Sequence, residues 1–331
     1  MLLKYIKRAR HLARFELRML QVYLFDYRRY RKHAAPNRRF SNDLQRGAFL
    51  LMVLHSIEKG LTMAVPRGFF GRDKAELIMK TYRAMQFDEG SRWLHCYTFR
   101  VLEAYQRHLL EHGETPQTFL DSLNRFLETH KDEHESPDIE GGALSLRAVQ
   151  SPRFTDSQLS ALFETRHSTR MFREGTIPKQ HLLLAARMAH SGPAACNRHP
   201  CRVHYINKGP LMKRALEIQG GNTGFESEIA HVAVVTCDLS SFLDLSERNQ
   251  PWVEGGLFAM SLVLAFHAMG YGTCCLNWAA TIEQDQAIRA TGVVEDRHCV
   301  IMLIGLGLLR DDYVAAASTR APEDQLATFH D

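Results

Sequence analysis

The sequence predicts an α+β chain whose first part is mostly helical, and three observations carry that prediction. Up to about residue 140 apolar residues recur at helical spacing, and no strand-like alternation is convincing there. A polar, acidic stretch, residues 131–142, then interrupts the pattern and ends in Gly141-Gly142. After it, short and nearly continuous apolar runs alternate with amphipathic segments, the pattern of strands covered by helices. The expected organisation is a helical region over 1–140, a linker over 141–154 and a sheet-containing domain over 155–331.

The elements follow in order. Residues 2 to 30 read as a helix in which Leu3, Ile6, Leu12, Phe15, Leu17 and Leu24 interleave with basic residues, and Pro36 and Asn37 break it. Ser41 or Asn42 can cap a second helix that runs to about Lys59, with Gly60 as its stop. Further helical patterns cover about 73–87, 91–112 and 115–130. Beyond the acidic stretch, Thr155 caps a short helix to Thr165, and a helix to His190 has Pro178 at its first turn. Strand-like runs stand at 203–206, 232–236 and 300–304. Between the last two, a long apolar helix runs from about Glu254 to Met269 and stops at Gly270.

Composition bounds the function classes. Of 331 residues, 45% are apolar and 24% charged, the balance of an ordinary globular protein with material for a sizeable core. The seven cysteines are odd in number and show no paired Cys-x-x-Cys units, which argues for a reduced, cytoplasmic setting over a disulfide framework, and no metal site is expected. No apolar run approaches the roughly 20 residues of a spanning helix. The net charge of +4 hides an asymmetry: residues 1–40 hold twelve Lys or Arg against Glu16 and Asp26, a net of +10, so the remainder carries −6. The first reading of this basic start is a solvated helix face whose apolar side docks on the protein. The second is peripheral contact of residues 1–40 with an anionic membrane at the inner surface. Nucleic acid is not expected as a partner, because no nucleic-acid motif follows.

Chemistry concentrates after residue 160. Arg166-His167-Ser168-Thr169-Arg170 sets two guanidinium groups and a hydroxyl within five residues, a set that matches phosphate oxygens. A segment Pro193-Ala194-Ala195-Cys196-Asn197-Arg198-His199-Pro200-Cys201 precedes the strand at 202–206. Trp252-Val253-Glu254-Gly255-Gly256 opens the long apolar helix, and Met269-Gly270-Tyr271-Gly272-Thr273 follows it. Arg320-Ala321-Pro322 stands near the end.

These four patches, in this order, resemble the nitroreductase family over about residues 160 to 325. The resemblance implies a mixed sheet with flanking helices, FMN as cofactor and a homodimer with FMN at its interface. Arg166, Ser168 and Arg170 look like the phosphate and ribityl ligands, His167 stands where the family has Arg or His, and Arg320 matches a late phosphate contact. Asn197 looks like the polar contact to flavin from the partner subunit. The family's Ser, Gln and Trp in this segment are Ala194, His199 and Cys201 here; His199 retains hydrogen-bonding capacity, and its expected places are beside the cofactor or in a structural role. No catalytic side chain is identified, since the flavin carries the hydride.

The leading expectation is therefore an FMN-dependent NAD(P)H oxidoreductase passing electrons to a small organic acceptor. The alternatives are a flavin-binding regulatory or scaffold protein, and a membrane-surface protein with a degenerate nitroreductase-like domain. Two further strings stand apart. Gly220-Gly221-Asn222-Thr223-Gly224 reads as a loop or pocket lid and lacks the surroundings of a dinucleotide turn. His55-Ser56-Ile57-Glu58-Lys59 reads as a helix end favoured by its dipole, or as contacts placed over the flavin pocket. The thiols Cys196 and Cys201 read as inert, and Cys274 and Cys275 as small core residues.

Overall fold

A computed structural model describes residues 2–63, 69–112, 115–130, 139–147, 153–320, 322 and 325–330. Most of the acidic stretch at 131–138, and residues 148–152 of the expected linker, lie outside the described residues. Among the described residues the first part holds five α-helices: α1 (Leu2–His33), α2 (Asp43–Leu61), α3 (Arg72–Arg83), α4 (Arg92–His112) and α5 (Gln117–Thr129). Asn42 caps α2 by accepting from the Gln45 N–H at 3.0 Å, as its residue type requires. Leu50, Leu54 and Ile57 of α2 pack with Ile78 of α3, Leu102 and Tyr105 of α4 and Phe126 of α5 in one core, which Leu243 joins from the second half.

The second part holds α6 (Asp156–Phe163), β1 (Phe172–Arg173), α7 (Lys179–His190), β2 (Cys201–Asn207), α8 (Pro210–Gln219), β3 (His231–Asp238), α9 (Gln250–Ala268), β4 (Tyr271–Asn277), α10 (Ile282–Ala290) and β5 (His298–Leu309). The sheet runs β1-β5-β3-β2, with β4 also on β5. Among the described residues, every pairing between these strands is antiparallel. The expected mixed character is confined to one parallel bridge, Ser168 to Thr273, among the described residues. Alternation along β3 explains its unbroken apolar run: Val232 and Val234 face a core with α8, while Ala233, Val235 and Cys237 face a core with α7 and α9.

Several expectations shift. Pro178 is the residue before α7, extended at ψ 139°, and not its first turn. Gly60 does not stop α2, which continues to Leu61. With the 3-10 turn before it, α9 forms a helical stretch, Leu245–Ala268, that is long and apolar enough to cross a membrane. Its Leu262, Val263 and Phe266 nevertheless pack into the sheet core, which accounts for the composition. Cys274 is buried but Cys275 is exposed, so the two are not a core pair. Asn222 is buried and its Nδ2 donates to the Leu216 carbonyl at 2.7 Å, so the Gly-rich string folds back as the cap of α8, with Gly220 at φ +76°.

The two parts are stitched together at α1 and α2. Near the end of α1, Arg29 donates to the His298 carbonyl at 2.7 Å, Lys32 pairs with Asp296 at 2.5 Å, and Ala35 N–H donates to the Phe242 carbonyl at 2.9 Å. Gln45, buried, donates to the His33 carbonyl at 2.7 Å and accepts from Ser41 N–H, closing the α1–α2 elbow. Between Leu12 and Tyr27, α1 does not dock as the first reading of the basic start expected. Nine apolar residues between Leu12 and Tyr27 are each 38–68% exposed within the chain.

Candidate functional site

The arginine-rich string follows α6 directly and is tied to the sheet. Thr169 N–H donates to the Thr273 carbonyl of β4 at 2.8 Å, and Thr169 itself is buried. An extended backbone alternates its side chains, so burying Thr169 turns Ser168 and Arg170 the other way. The Arg170 guanidinium lies over the Phe225 ring at 6.0 Å from its centre. A pocket of about 380 Å³ is lined by Arg166, His167, Ser168, Arg170 and Arg320 with Phe163, Glu164 and residues 316–318. Five of the seven expected cofactor residues thus meet in one place. Among the described residues no carboxylate forms an ion pair with Arg166, Arg170 or Arg320. Arg320 donates to the Ser318 carbonyl at 2.6 Å. Three guanidinium groups and a hydroxyl with that little internal neutralisation fit a phosphate dianion in charge and in hydrogen-bonding type.

Asn197 and His199 lie elsewhere in the chain. They line a cavity of about 850 Å³ with Arg187 and His190 at the end of α7, the loop 191–194, and His55 of α2. Among the described residues the cavity and the arginine pocket share no lining residue. The loop that presents Asn197 and His199 is held tightly. Arg198 is buried and donates to Glu247 at 2.5 and 3.1 Å and to the Ser241 carbonyl at 2.8 Å. Ala195 N–H donates to the buried Glu254 at 2.7 Å. Within this frame Cys196, Asn197 and His199 adopt left-handed backbone at φ +53°, +56° and +45°. Non-glycine residues take that conformation at a cost of order 1–3 kcal/mol each, and keep it where surrounding contacts over-determine it.

The His199 ring stacks on His190 with centres 4.5 Å apart. Burial, reinforced by His190 and Arg202, holds His199 well below the ordinary imidazole range, at about 4, so the ring is neutral at physiological pH. Burial also lowers His190. Of the string His55–Lys59, His55 reaches the cavity wall, and Glu58 accepts from the Tyr97 hydroxyl at 2.6 Å. Tyr97, His190 and Arg198 were not expected as site residues. The sequence signal for Arg198 and Glu254 was their place in patches already singled out; Tyr97 had none, because it reaches the site from the middle of α4.

Residues 163–308 match the model of the nitroreductase family. No curated protein matches the chain. Among solved structures, the chain is similar to an FMN-dependent nitroreductase from Clostridium difficile R20291, at 16% identity and a TM-score of 0.43, over 52% of this chain and 98% of that one. It is also similar to a nitroreductase family protein from Streptococcus pneumoniae TIGR4, at 19% identity and a TM-score of 0.44, over 52% of this chain and 100% of that one.

Proposed function

We propose, from the match of residues 163–308 to the nitroreductase family model, that the protein is an FMN-dependent oxidoreductase, drawing electrons from NAD(P)H for a small organic acceptor. The observation that carries the reading is the convergence of Arg166, Arg170 and Arg320 with Ser168 on one pocket. In this reading the three guanidinium groups hold the terminal phosphate and Ser168 donates to it or to the ribityl chain. Bound FMN supplies the hydride chemistry, so the protein's share is binding and orientation. A terminal phosphate facing three arginines favours FMN over FAD, whose adenylate would need a further site.

The reading also takes two copies of the chain per site. Within one chain the arginine pocket and the Asn197–His199 cavity have different linings, and the reading takes each as half of a shared site. On α9, Trp252, Val253, Leu257 and Met260 form an exposed apolar face, the kind of surface that a second copy covers. Asn197 and His199 of one copy then meet the flavin held by the arginines of the other. Asn197 brings both donor and acceptor, and the neutral ring of His199 excludes a positive charge from that edge.

The test is the absorbance spectrum of the purified protein, with and without NADPH under anaerobic conditions, and the mass of the heat-released cofactor. A flavin spectrum that bleaches on NADPH and a cofactor with the mass of FMN are expected. FAD, or no flavin even after reconstitution, refutes the reading. A flavin that NADPH leaves oxidised removes the enzyme and favours a flavin-binding regulatory protein.

A further inference from the structure

A hydrogen-bonded chain crosses from the helical half into the cavity, and its direction is fixed at one end. Glu58 of α2 accepts from Gly142 N–H through Oε1 at 3.1 Å and from the Tyr97 hydroxyl through Oε2 at 2.6 Å. Asn197 Nδ2 stands 3.2 Å from the Tyr97 oxygen, and Asn197 Oδ1 stands 2.6 Å from His199 Nε2. His55 Nδ1 lies 3.5 Å from the same Glu58 oxygen that Tyr97 uses.

Each step follows from the donor inventory. A carboxylate has no proton to give, so Tyr97 donates to Glu58. The Tyr97 oxygen is left as an acceptor, so Asn197 turns its NH2 towards it. That presents the Asn197 carbonyl oxygen to His199, and a carbonyl oxygen only accepts. His199 Nε2 therefore carries the ring proton, and Nδ1 is the bare acceptor. An amide conducts no proton, so the chain orients His199 and does not relay protons through it. The low pKa of His199 agrees, since the ring has a single proton to place.

We propose that Glu58 and Tyr97 are positioning residues that fix His199 with Nδ1 as its acceptor, so that the 850 Å³ cavity takes a ligand presenting an N–H or O–H donor to that ring. The inference rests on reading His199 as a ligand contact of the proposed oxidoreductase. It gives the helical half a role in that site: the sheet-containing half supplies Asn197 and His199, and α2 and α4 decide which way they face.

Glu58→Gln tests the polarity with little change of shape. Gly142 N–H still requires an acceptor, which keeps the new amide oxygen at that position and turns the new NH2 towards Tyr97. Every bond in the chain then reverses: Gln donates to Tyr97, Tyr97 to the Asn197 oxygen, and the Asn197 NH2 to His199 Nε2. The ring proton moves to Nδ1 without loss of a hydrogen bond. The measurement is two-bond 15N–1H correlation on the 15N-histidine-labelled full-length protein, with His199 assigned by its absence in His199→Gln.

The wild type is expected to show a single Nε2–H tautomer, Glu58→Gln the Nδ1–H tautomer, and Tyr97→Phe a mixture. An Nδ1–H tautomer in the wild type, or an unchanged one in Glu58→Gln, overturns the proposal. In FMN-loaded protein, Glu58→Gln is expected to slow NADPH-driven bleaching about 10-fold, the scale of outer-shell orienting groups. A flipped tautomer with an unchanged bleaching rate overturns the ligand-selecting role. A protein that never holds FMN refutes the flavin reading instead, and the tautomers then decide the orienting role of Glu58 and Tyr97 alone.

Discussion

At the scale of single residues, the arginine pocket gives the most direct test of where the phosphate sits. Arg170 extends over Phe225 and forms no ion pair among the described residues. Arg170→Ala deletes a charge-assisted fork to a partly desolvated dianion, a loss of roughly 2–4 kcal/mol, or about 30- to 1,000-fold in FMN affinity. Lysine at the same position is expected to restore only part, because it keeps the charge and loses the planar fork. Titration of apo-protein with FMN measures both, with Arg39→Ala as the control that leaves affinity unchanged. An unaltered dissociation constant for Arg170→Ala would put the phosphate elsewhere. This cluster was legible in the sequence because four of its residues, 166, 167, 168 and 170, are nearly contiguous. Glu58, Tyr97 and Asn197 form an equally connected set, but they lie 39 and 100 residues apart in the chain. Contacts of that separation leave no local pattern, so Glu58 could be read only within its own string, as part of a helix end or as a contact over the flavin pocket, and its link to Tyr97 could not be read at all.

At the scale of elements, α1 stands out because its capacity for binding is unmet within the chain. Arg10, Arg14 and Arg18 recur every four residues and share one face. Leu12, Phe15, Met19, Leu20 and Tyr23 are exposed on the other side of the helix, and Leu17 and Leu24 are exposed beside the arginines. Apolar residues on one side and arginines on the other are the pattern of a helix lying in an anionic membrane interface. The full-length protein is expected to pellet with phosphatidylserine-containing vesicles and not with neutral ones. Each basic residue near such a surface contributes about 1 kcal/mol, so alanine at Arg10, Arg14 and Arg18 together lowers the partition by roughly two orders of magnitude. Equal pelleting with neutral vesicles, or none with either, refutes this role for α1. The helix itself was readable from its period of apolar residues, as were α2 and α4, and α9 was readable from the length of its apolar run. Elements β4 and α10 were not singled out. Tyr271–Asn277 holds Gly, Thr and Asn among its apolar residues, and β4 takes its stability from pairing along β5. Ile282–Ala290 is short and mostly polar, and it is set by the Thr281 capping box more than by an apolar stripe.

At the scale of the whole molecule, the proposed reading needs a second copy to bring the arginine pocket and the Asn197–His199 cavity together. The exposed apolar residues of α9 continue onto its neighbours: Leu183 and Met188 of α7, and Leu159 and Phe163 of α6, are exposed as well. Both helices pack directly against α9. Phe163 also lines the arginine pocket, and Met188 lies between Arg187 and His190 of the other cavity. The apolar surface therefore runs between the two half-sites, and covering it with a second copy would bring complementary halves to one interface. A homodimer is expected by light scattering at micromolar concentration. Glutamate at Leu257 and Met260 places two charges in the centre of that surface, and burying them unpaired costs several kcal/mol. The double variant is expected to be monomeric, folded by circular dichroism, and weakened in FMN binding although neither position lines the arginine pocket. That last result separates a shared site from a merely dimeric protein. If the monomer binds FMN as the wild type does, each chain completes its own site, and Asn197 and His199 serve something other than the flavin.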